Sequence, residues 1–297
     1  MAFPMLENPY GEYCIYNGEK VALSSTTGAA LLEPISDLIY YESIRIRDGI
    51  LVFFENHMLR LLTSIAKKEN FPVDTELLYD QAMRLIREFE PKVSEGNLRI
   101  VITSKSSLVH LSDAIYPSAE LFSSGIVTAT LCWERREPQV KVFRDDYKKA
   151  VYSKIHTPTS FGMPYEVLLT DHDGYYTEGG RSNFFVLYDG VVYSPPEEMI
   201  LIGITRKYVL QAISMAGLKY GEKIFTMDEM IKMQENARNN SSSFAVFITS
   251  SPFDILPVAS IDDVPFSSAT CEELIAVSMA YQGIVDAYIT SRKTDPS

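Results

Sequence analysis

Two Asx-Gly dipeptides, each set between β-rich runs, constrain this chain more than any other feature. Asn17-Gly18 separates residues 12–16 from 20–23, and Asp48-Gly49 separates 40–46 from 51–54. Such dipeptides tolerate the left-handed backbone that a two-residue hairpin turn requires. Antiparallel hairpins are therefore predicted in this part of the chain. Helical stripes follow them. Met58, Leu61, Leu62 and Ile65 recur at helical spacing and stop before Pro72, and Leu78, Ala82, Leu85 and Phe89 form a second stripe behind Asp74, a predicted N-cap. Residues 98–103 read as a buried strand.

The second half mixes the same ingredients. Strands are predicted at 126–132, 166–170, 184–187 and 191–194, with a breaker-rich loop at 157–164. A helix runs from Ile204 to about Ala216 and stops at Gly217. Another starts behind Thr270, with Glu273 completing a capping-box pattern. Residues 234–243 read as a polar insertion and 292–297 as a mobile tail. No internal repeat is evident. Strands and helices are mixed rather than alternating, which predicts an α+β chain of two domains, a smaller one at 1–125 and a larger one at 126–297.

Charge and composition exclude several classes of function. With 27 Lys and Arg against 39 Asp and Glu, the net charge is −12, which repels phosphate backbones, so no nucleic-acid partner is expected. An anionic ligand would need a locally built basic pocket. Three scattered cysteines, without a CxxC, fit a reducing compartment, and four histidines without ligand spacing predict no metal. No apolar run reaches the roughly 18 residues of a membrane span, and the first residues lack a signal peptide's basic and apolar regions. A soluble, cytoplasmic protein is expected.

Four local features suit anion or cofactor binding. Leu201-Ile202-Gly203-Ile204-Thr205-Arg206 opens a helix, whose unpaired N–H groups and partial positive charge attract an anion. Arg60 lies on the polar side of the first helical stripe, where its guanidinium can fork onto a phosphate. The strand-like run ending in Thr249-Ser250-Ser251 supplies hydroxyl donors. In Thr177-Glu178-Gly179-Gly180-Arg181-Ser182-Asn183-Phe184-Phe185, a carboxylate precedes a double-glycine turn, and such a carboxylate beside a ring nitrogen keeps that nitrogen protonated. Each feature alone is compatible with plain architecture.

Taken in order, these segments resemble the fold-type-IV pyridoxal-phosphate enzymes, which include branched-chain and D-amino-acid aminotransferases and aminodeoxychorismate lyase. The resemblance rests on Tyr41-Glu42-Ser43-Ile44-Arg45, Glu55-Asn56-His57-Met58-Leu59-Arg60-Leu61, residues 165–185, 192–196, 200–206 and 247–258. It implies a two-domain fold like that of D-amino-acid aminotransferase, with pyridoxal 5'-phosphate between the domains and a homodimeric assembly. It also implies roles. Arg60, Gly203, Ile204, Thr205, Ser250 and Ser251 would bind the phosphate, Glu178 the pyridine nitrogen, and Tyr41 and Arg45 the substrate. Asn183 would support the cofactor strand.

The resemblance further requires a lysine that holds the aldehyde as a Schiff base and moves a proton, tasks an amine performs when burial lowers its pKa. Lys141, Lys148, Lys149 and Lys154 stand 37, 30, 29 and 24 residues before Glu178. Arg144 stands 34 before it and cannot serve, because a guanidinium stays protonated. Lys141 is preferred, since its apolar run leads directly into Asp145-Asp146 and a helix, and the 157–164 loop can absorb extra residues at little cost. Lys148 and Lys149 remain alternatives. The implied activity is transfer of an amino group between an amino acid and a 2-keto acid. The same residues would also serve a lyase of the aminodeoxychorismate type, and a non-catalytic homologue that binds a phosphate ligand is the third reading. Two departures bear on substrate choice: residues 25–37 lack the glycine-aspartate-glycine pattern usual ahead of the pocket tyrosine, and 234–243 adds polar residues before the phosphate strand.

Overall fold

A computed structural model gives the architecture and describes residues 3–89, 93–113 and 116–294. The chain divides into two compact units that are not continuous in sequence. One takes its described residues from Met1–Tyr116, Val140–Asp145 and Ala287–Ser297, and the other comprises Pro117–Gln139 and Asp146–Asp286. A single cut at 125/126 therefore differs from these units: Ile126–Cys132 belongs to the second, but so do the residues from Pro117 onward, and two later segments return to the first.

The first unit is built on a six-stranded antiparallel sheet. Its order is Glu19–Ala22, Tyr13–Tyr16, Ser107–Ser112, Glu95–Ile102, Tyr40–Arg47 and Ile50–Leu51. Both predicted hairpin turns form, with positive φ at Asn17, Gly18, Asp48 and Gly49, the conformation that selects these residues. The second hairpin is shorter than expected, because Phe54 opens a helix, Phe54–Ala66, instead of ending a strand. The next helix, Thr75–Glu88, is capped by Asp74, whose Oδ1 accepts the Leu77 N–H at 2.9 Å.

These two helices cover one sheet face. Met58, Leu61, Ile65, Leu78, Ala82 and Leu85 pack there against Ile44, Ile46, Leu98 and Ile100. Leu62, predicted on the same stripe, is instead 37% exposed, since it lies a quarter-turn from Leu61. The last helix, Glu272–Thr294, corrects the expected mobile tail: Lys293 pairs with Asp48 at 2.9 Å and Arg292 with Glu55. Residues 295–297 lie outside the described residues.

In the second unit a ring of six strands closes on itself. The order is Tyr176–Gly179, Glu166–Thr170, Ile126–Cys132, Asp254–Ile261, Phe244–Ser250 and Asn183–Tyr188, and Glu178 opposite Asn183 joins the last strand to the first. Val191–Ser194 and Lys219–Glu222 extend the sheet beyond Asn183–Tyr188. Alternation sorts the side chains of that strand: Phe184 and Val186 join a cluster with Tyr176, Phe225, Val246 and Ile248, while Phe185 stacks on Phe247 with centroids 4.9 Å apart.

Two helix readings need correction. Most of residues 234–243 end a helix, Met227–Asn240, whose Thr226 and Glu229 form the capping box. That helix buries only Met230, Gln234 and Ala237, a stripe too polar for its periodicity to be recognised. The box expected at Thr270 is absent, since Ser268–Thr270 is a 3-10 turn and the Thr270 hydroxyl donates to the Ser267 carbonyl. The helix from Ile204 behaves as predicted, running Ile204–Met215 with Gly217 at φ +75°.

Candidate active site

In the first unit a buried carboxylate gathers three basic residues. Glu42, fully buried on the Tyr40–Arg47 strand, accepts two bonds from Arg60, at 2.8 Å from Nε and 2.5 Å from the terminal nitrogen. His57 Nδ1 lies 2.8 Å from the Glu42 Oε2 and Lys141 Nζ 3.8 Å from the same oxygen. His57 and Arg60 reach one point because residues three apart share a helix face. Burial alone would push the Glu42 carboxyl up, but the Arg60 and Lys141 charges, with the bonds from Arg60 and His57, hold it well below the usual carboxylate range. Burial pushes His57 down to about 4, so at neutral pH the ring is uncharged and its Nδ1–H donates to Glu42.

Lys141 reaches this carboxylate along the edge of the sheet. Val142 bridges Tyr40, the Phe143 N–H donates to the Ile39 carbonyl at 3.2 Å, and the Lys141 N–H donates to Ser64 Oγ at 3.3 Å. The helix Asp145–Ile155 begins shortly afterwards. Tyr41 stacks on Phe143 with ring centroids 4.0 Å apart, and the Lys141 Nζ lies 5.1 Å from the Tyr41 centroid. The other candidate amines are placed differently. Lys148 and Lys149 lie in the helix Asp145–Ile155, Lys149 exposed, whereas burial pushes the Lys148 ammonium down to about 8. Lys154 faces Asp262 at 3.9 Å.

Arg45 lies on the same strand face as Tyr41, four residues on. Its guanidinium sits 4.4 Å from the Tyr116 ring centroid, and Glu95 lies 3.8 Å away. The neighbouring strands add basic groups to this face through register: Asn97 stands opposite Arg45, Arg99 opposite Ser43, and His110 opposite Arg99. Arg99 pairs with Glu7 at 2.6 Å, yet its buried Nε, the His110 Nε2 and the Asn97 Oδ1 have no hydrogen-bond partner among the described residues. Burial pushes His110 down to about 4. Sequence patterning did not single out Arg99 or His110, because only the register brings them beside Arg45.

In the second unit Glu178 is buried, 3% exposed, at the end of its strand. Its Oε1 accepts from Arg135 at 2.9 Å and its Oε2 from the Leu201 N–H at 3.0 Å. Burial raises its pKa, and these two donors oppose the rise. Arg135 was also missed from sequence, where Trp133-Glu134-Arg135-Arg136 looks like any charged strand exit. Tyr147 completes this arrangement, its hydroxyl donating to the Gly180 carbonyl at 2.6 Å and its ring 5.9 Å from the Arg135 guanidinium.

Leu201 also leads into the helix start. Asn183 Nδ2 donates to the Leu201 carbonyl at 2.7 Å, and a Cβ on Gly203 would stand 2.0 Å from the Asn183 Oδ1. No side chain caps the helix, which leaves the first-turn N–H groups of Ile204 and Thr205 available to an anion. Thr205 Oγ1 lies 3.4 Å from Ser251 Oγ, bringing two predicted hydroxyls together, whereas Ser250 donates to the Arg181 carbonyl at 2.9 Å. Arg206, fully buried, anchors this turn through Glu197 and Tyr220, both at 2.8 Å. Among the described residues, no group of three His, Cys, Asp or Glu side chains is placed to hold a metal, and no helix is long and apolar enough to cross a membrane.

Comparison with known proteins gives this arrangement its family. The model of amino-transferase class IV matches residues 40–261. The D-alanine aminotransferase of Bacillus licheniformis is 30% identical over 244 residues, which cover 75% of this chain and 78% of that protein. The branched-chain-amino-acid aminotransferase of Pseudomonas aeruginosa is 24% identical over 268 residues, 83% of this chain and 84% of that protein. A solved branched-chain amino acid aminotransferase of Escherichia coli shares the fold with a TM-score of 0.72 at 20% identity, covering 93% of this chain and 95% of that one. The chain belongs to the class IV aminotransferases. It is an enzyme of that class, with the fold-type-IV architecture.

Proposed function

We propose that this enzyme moves an amino group between an amino acid and a 2-keto acid, using pyridoxal 5'-phosphate. The observation that carries the cofactor assignment is the buried Glu178 carboxyl, which accepts from two donors while its burial still raises its pKa. A protonated ring nitrogen is the kind of partner that removes the remaining cost of that burial. The uncapped helix start with Gly203, Ile204 and Thr205, together with Ser251, fits a phosphate. Arg60, whose Nε and one terminal nitrogen go to Glu42, is a further candidate for the phosphate in this reading.

When bound, the cofactor supplies an aldehyde to carry the amino group and a ring to accept electrons. The chain's own residues do the rest. Glu178 keeps the ring nitrogen protonated. Lys141 would supply the amine that holds the aldehyde, and its free amine would carry a proton between the substrate α-carbon and the aldehyde-derived carbon. Tyr41 orients the substrate, and Arg45, with Arg99 and His110 on the same sheet face, receives a carboxylate. The handedness and side chain of the amino donor are left to assay, because one scaffold serves several substrates.

A homodimer in the cytoplasm completes the proposal. The three free cysteines, Cys14, Cys132 and Cys271, suit a reducing compartment, and a mass measurement in solution tests the dimer. The activity is tested by pairing amino donors with keto-acid acceptors. Turnover that requires an acceptor supports an aminotransferase. Turnover that releases pyruvate from aminodeoxychorismate without an acceptor would instead identify the lyase.

A further inference from the structure

One buried group in the first unit has no role in the reaction as described, and it touches both residues given to the cofactor there. Glu42 is fully buried, and every charged group facing it is basic or a donor: Arg60 and His57 from the helix Phe54–Ala66, and Lys141 from the segment beside the strand. Neutral His57 commits its Nδ1–H to Glu42 at 2.8 Å, which holds the carboxylate rotamer without adding charge. Arg60 occupies both oxygens. Lys141, at 3.8 Å, is near enough for Coulomb attraction and too far for a full hydrogen bond.

We propose that Glu42 is a positioning residue, a buried carboxylate oriented by His57 that fixes the Arg60 fork and sets where, and in what charge state, the Lys141 amine stands. The proposal rests on the reading of Lys141 as the aldehyde-holding lysine. Its physical content is simple. With Glu42 ionised, the Lys141 ammonium has a counter-charge 3.8 Å away, which favours its protonated form. With Glu42 made neutral, Lys141 and Arg60 lose the carboxylate they share, and the loss of that counter-charge releases the Lys141 proton at lower pH. The Tyr41 ring lies 5.1 Å from the Lys141 Nζ. The positioning is therefore electrostatic through Glu42 and mechanical through His57.

The test uses the cofactor-free protein and measures the lysine itself. Lysines are methylated reductively with 13C-formaldehyde, and the Lys141 resonance, assigned by its loss in Lys141→Arg, is followed against pH. In Glu42→Gln the Lys141 midpoint should fall by about one unit or more. In Glu42→Asp, which keeps the charge, it should return toward the wild-type value. An unchanged midpoint in folded Glu42→Gln would overturn the proposal. Should Glu42→Gln fail to fold, wild-type protein carrying 13C-labelled glutamate gives the answer. The Glu42 carboxylate signal, assigned by its loss in Glu42→Asp, should step at the Lys141 midpoint, and a signal with no step there overturns the coupling. No cofactor enters these experiments, so their outcome is independent of whether Lys141 forms the Schiff base.

Discussion

Arg135 donates to Glu178 across 2.9 Å, so the buried carboxylate given to the cofactor nitrogen comes with its own half-buried cation. Replacing Arg135 by methionine removes the counter-charge and leaves Glu178 desolvated. Breaking a buried pair from one side costs about 3–5 kcal/mol. The sign of its pH dependence follows from Glu178, whose folded pKa is already raised above the ordinary 4.5 and rises further without Arg135. A raised carboxyl favours the folded state while it is protonated and loses that advantage as pH rises through the folded pKa. The deficit of Arg135→Met relative to wild type should therefore be small near pH 4 and grow toward neutrality, as read by denaturant unfolding at several pH values.

Acid should destabilise the protein in the range where histidines ordinarily charge. His57 and His110 are both buried, with pKa values pushed from 6.5 down to about 4. The unfolded chain binds those protons at higher pH than the folded one, so stability falls as pH drops from 6.5 toward 4. The loss is on the order of 3 kcal/mol for each ring. Glu42, held low, adds to the loss below the ordinary carboxyl range. In His57→Gln the slope between pH 6.5 and 4 should be about half that of wild type, measured by urea unfolding.

Gly203→Ala should weaken phosphate binding at the helix start. The added Cβ would stand 2.0 Å from the Asn183 Oδ1, and Asn183 cannot retreat without losing its 2.7 Å bond to the Leu201 carbonyl. Leu201 in turn supplies the N–H on Glu178. Overpacking of this kind costs about 1–3 kcal/mol, and the expected outcome is a weaker spectroscopic titration with pyridoxal phosphate. Affinity equal to wild type would contradict the cradle.

Ser251→Ala tests the same cradle from its other side. Ser251 Oγ lies 3.4 Å from Thr205 Oγ1, and loss of one hydroxyl donor to a charged group costs about 1.5–3 kcal/mol. Ser250→Ala should cost less, because its hydroxyl already serves the Arg181 carbonyl at 2.9 Å. Equal losses in the two variants, in the same titration, would reverse the assignment of the two serines.

Local chemistry made much of this legible in the sequence. Asn17-Gly18 and Asp48-Gly49 form their turns, Asp74 caps its helix, and Gly217 ends another because each obeys a rule confined to a few residues. Glu178, Gly203 and Thr205 were legible through a motif whose members are near one another in the chain. Arg135, Arg99 and His110 were not, because strand register across the sheets brings them to Glu178 and Arg45. The helix Met227–Asn240 escaped because its buried stripe contains Gln234, which breaks the apolar pattern while donating to the Pro265 carbonyl. Burial lowers the Lys148 pKa to about 8, a consequence of packing that no spacing reveals.

That lysine sets the most direct test of the account. The purified protein is mixed with pyridoxal 5'-phosphate, its visible spectrum recorded, the complex reduced with borohydride, and the labelled peptide identified. A Schiff-base band with the label on Lys141 is the predicted result. A label on Lys148 or Lys149 would contradict the assignment of Lys141, and the absence of both band and label would contradict cofactor-dependent aminotransfer itself.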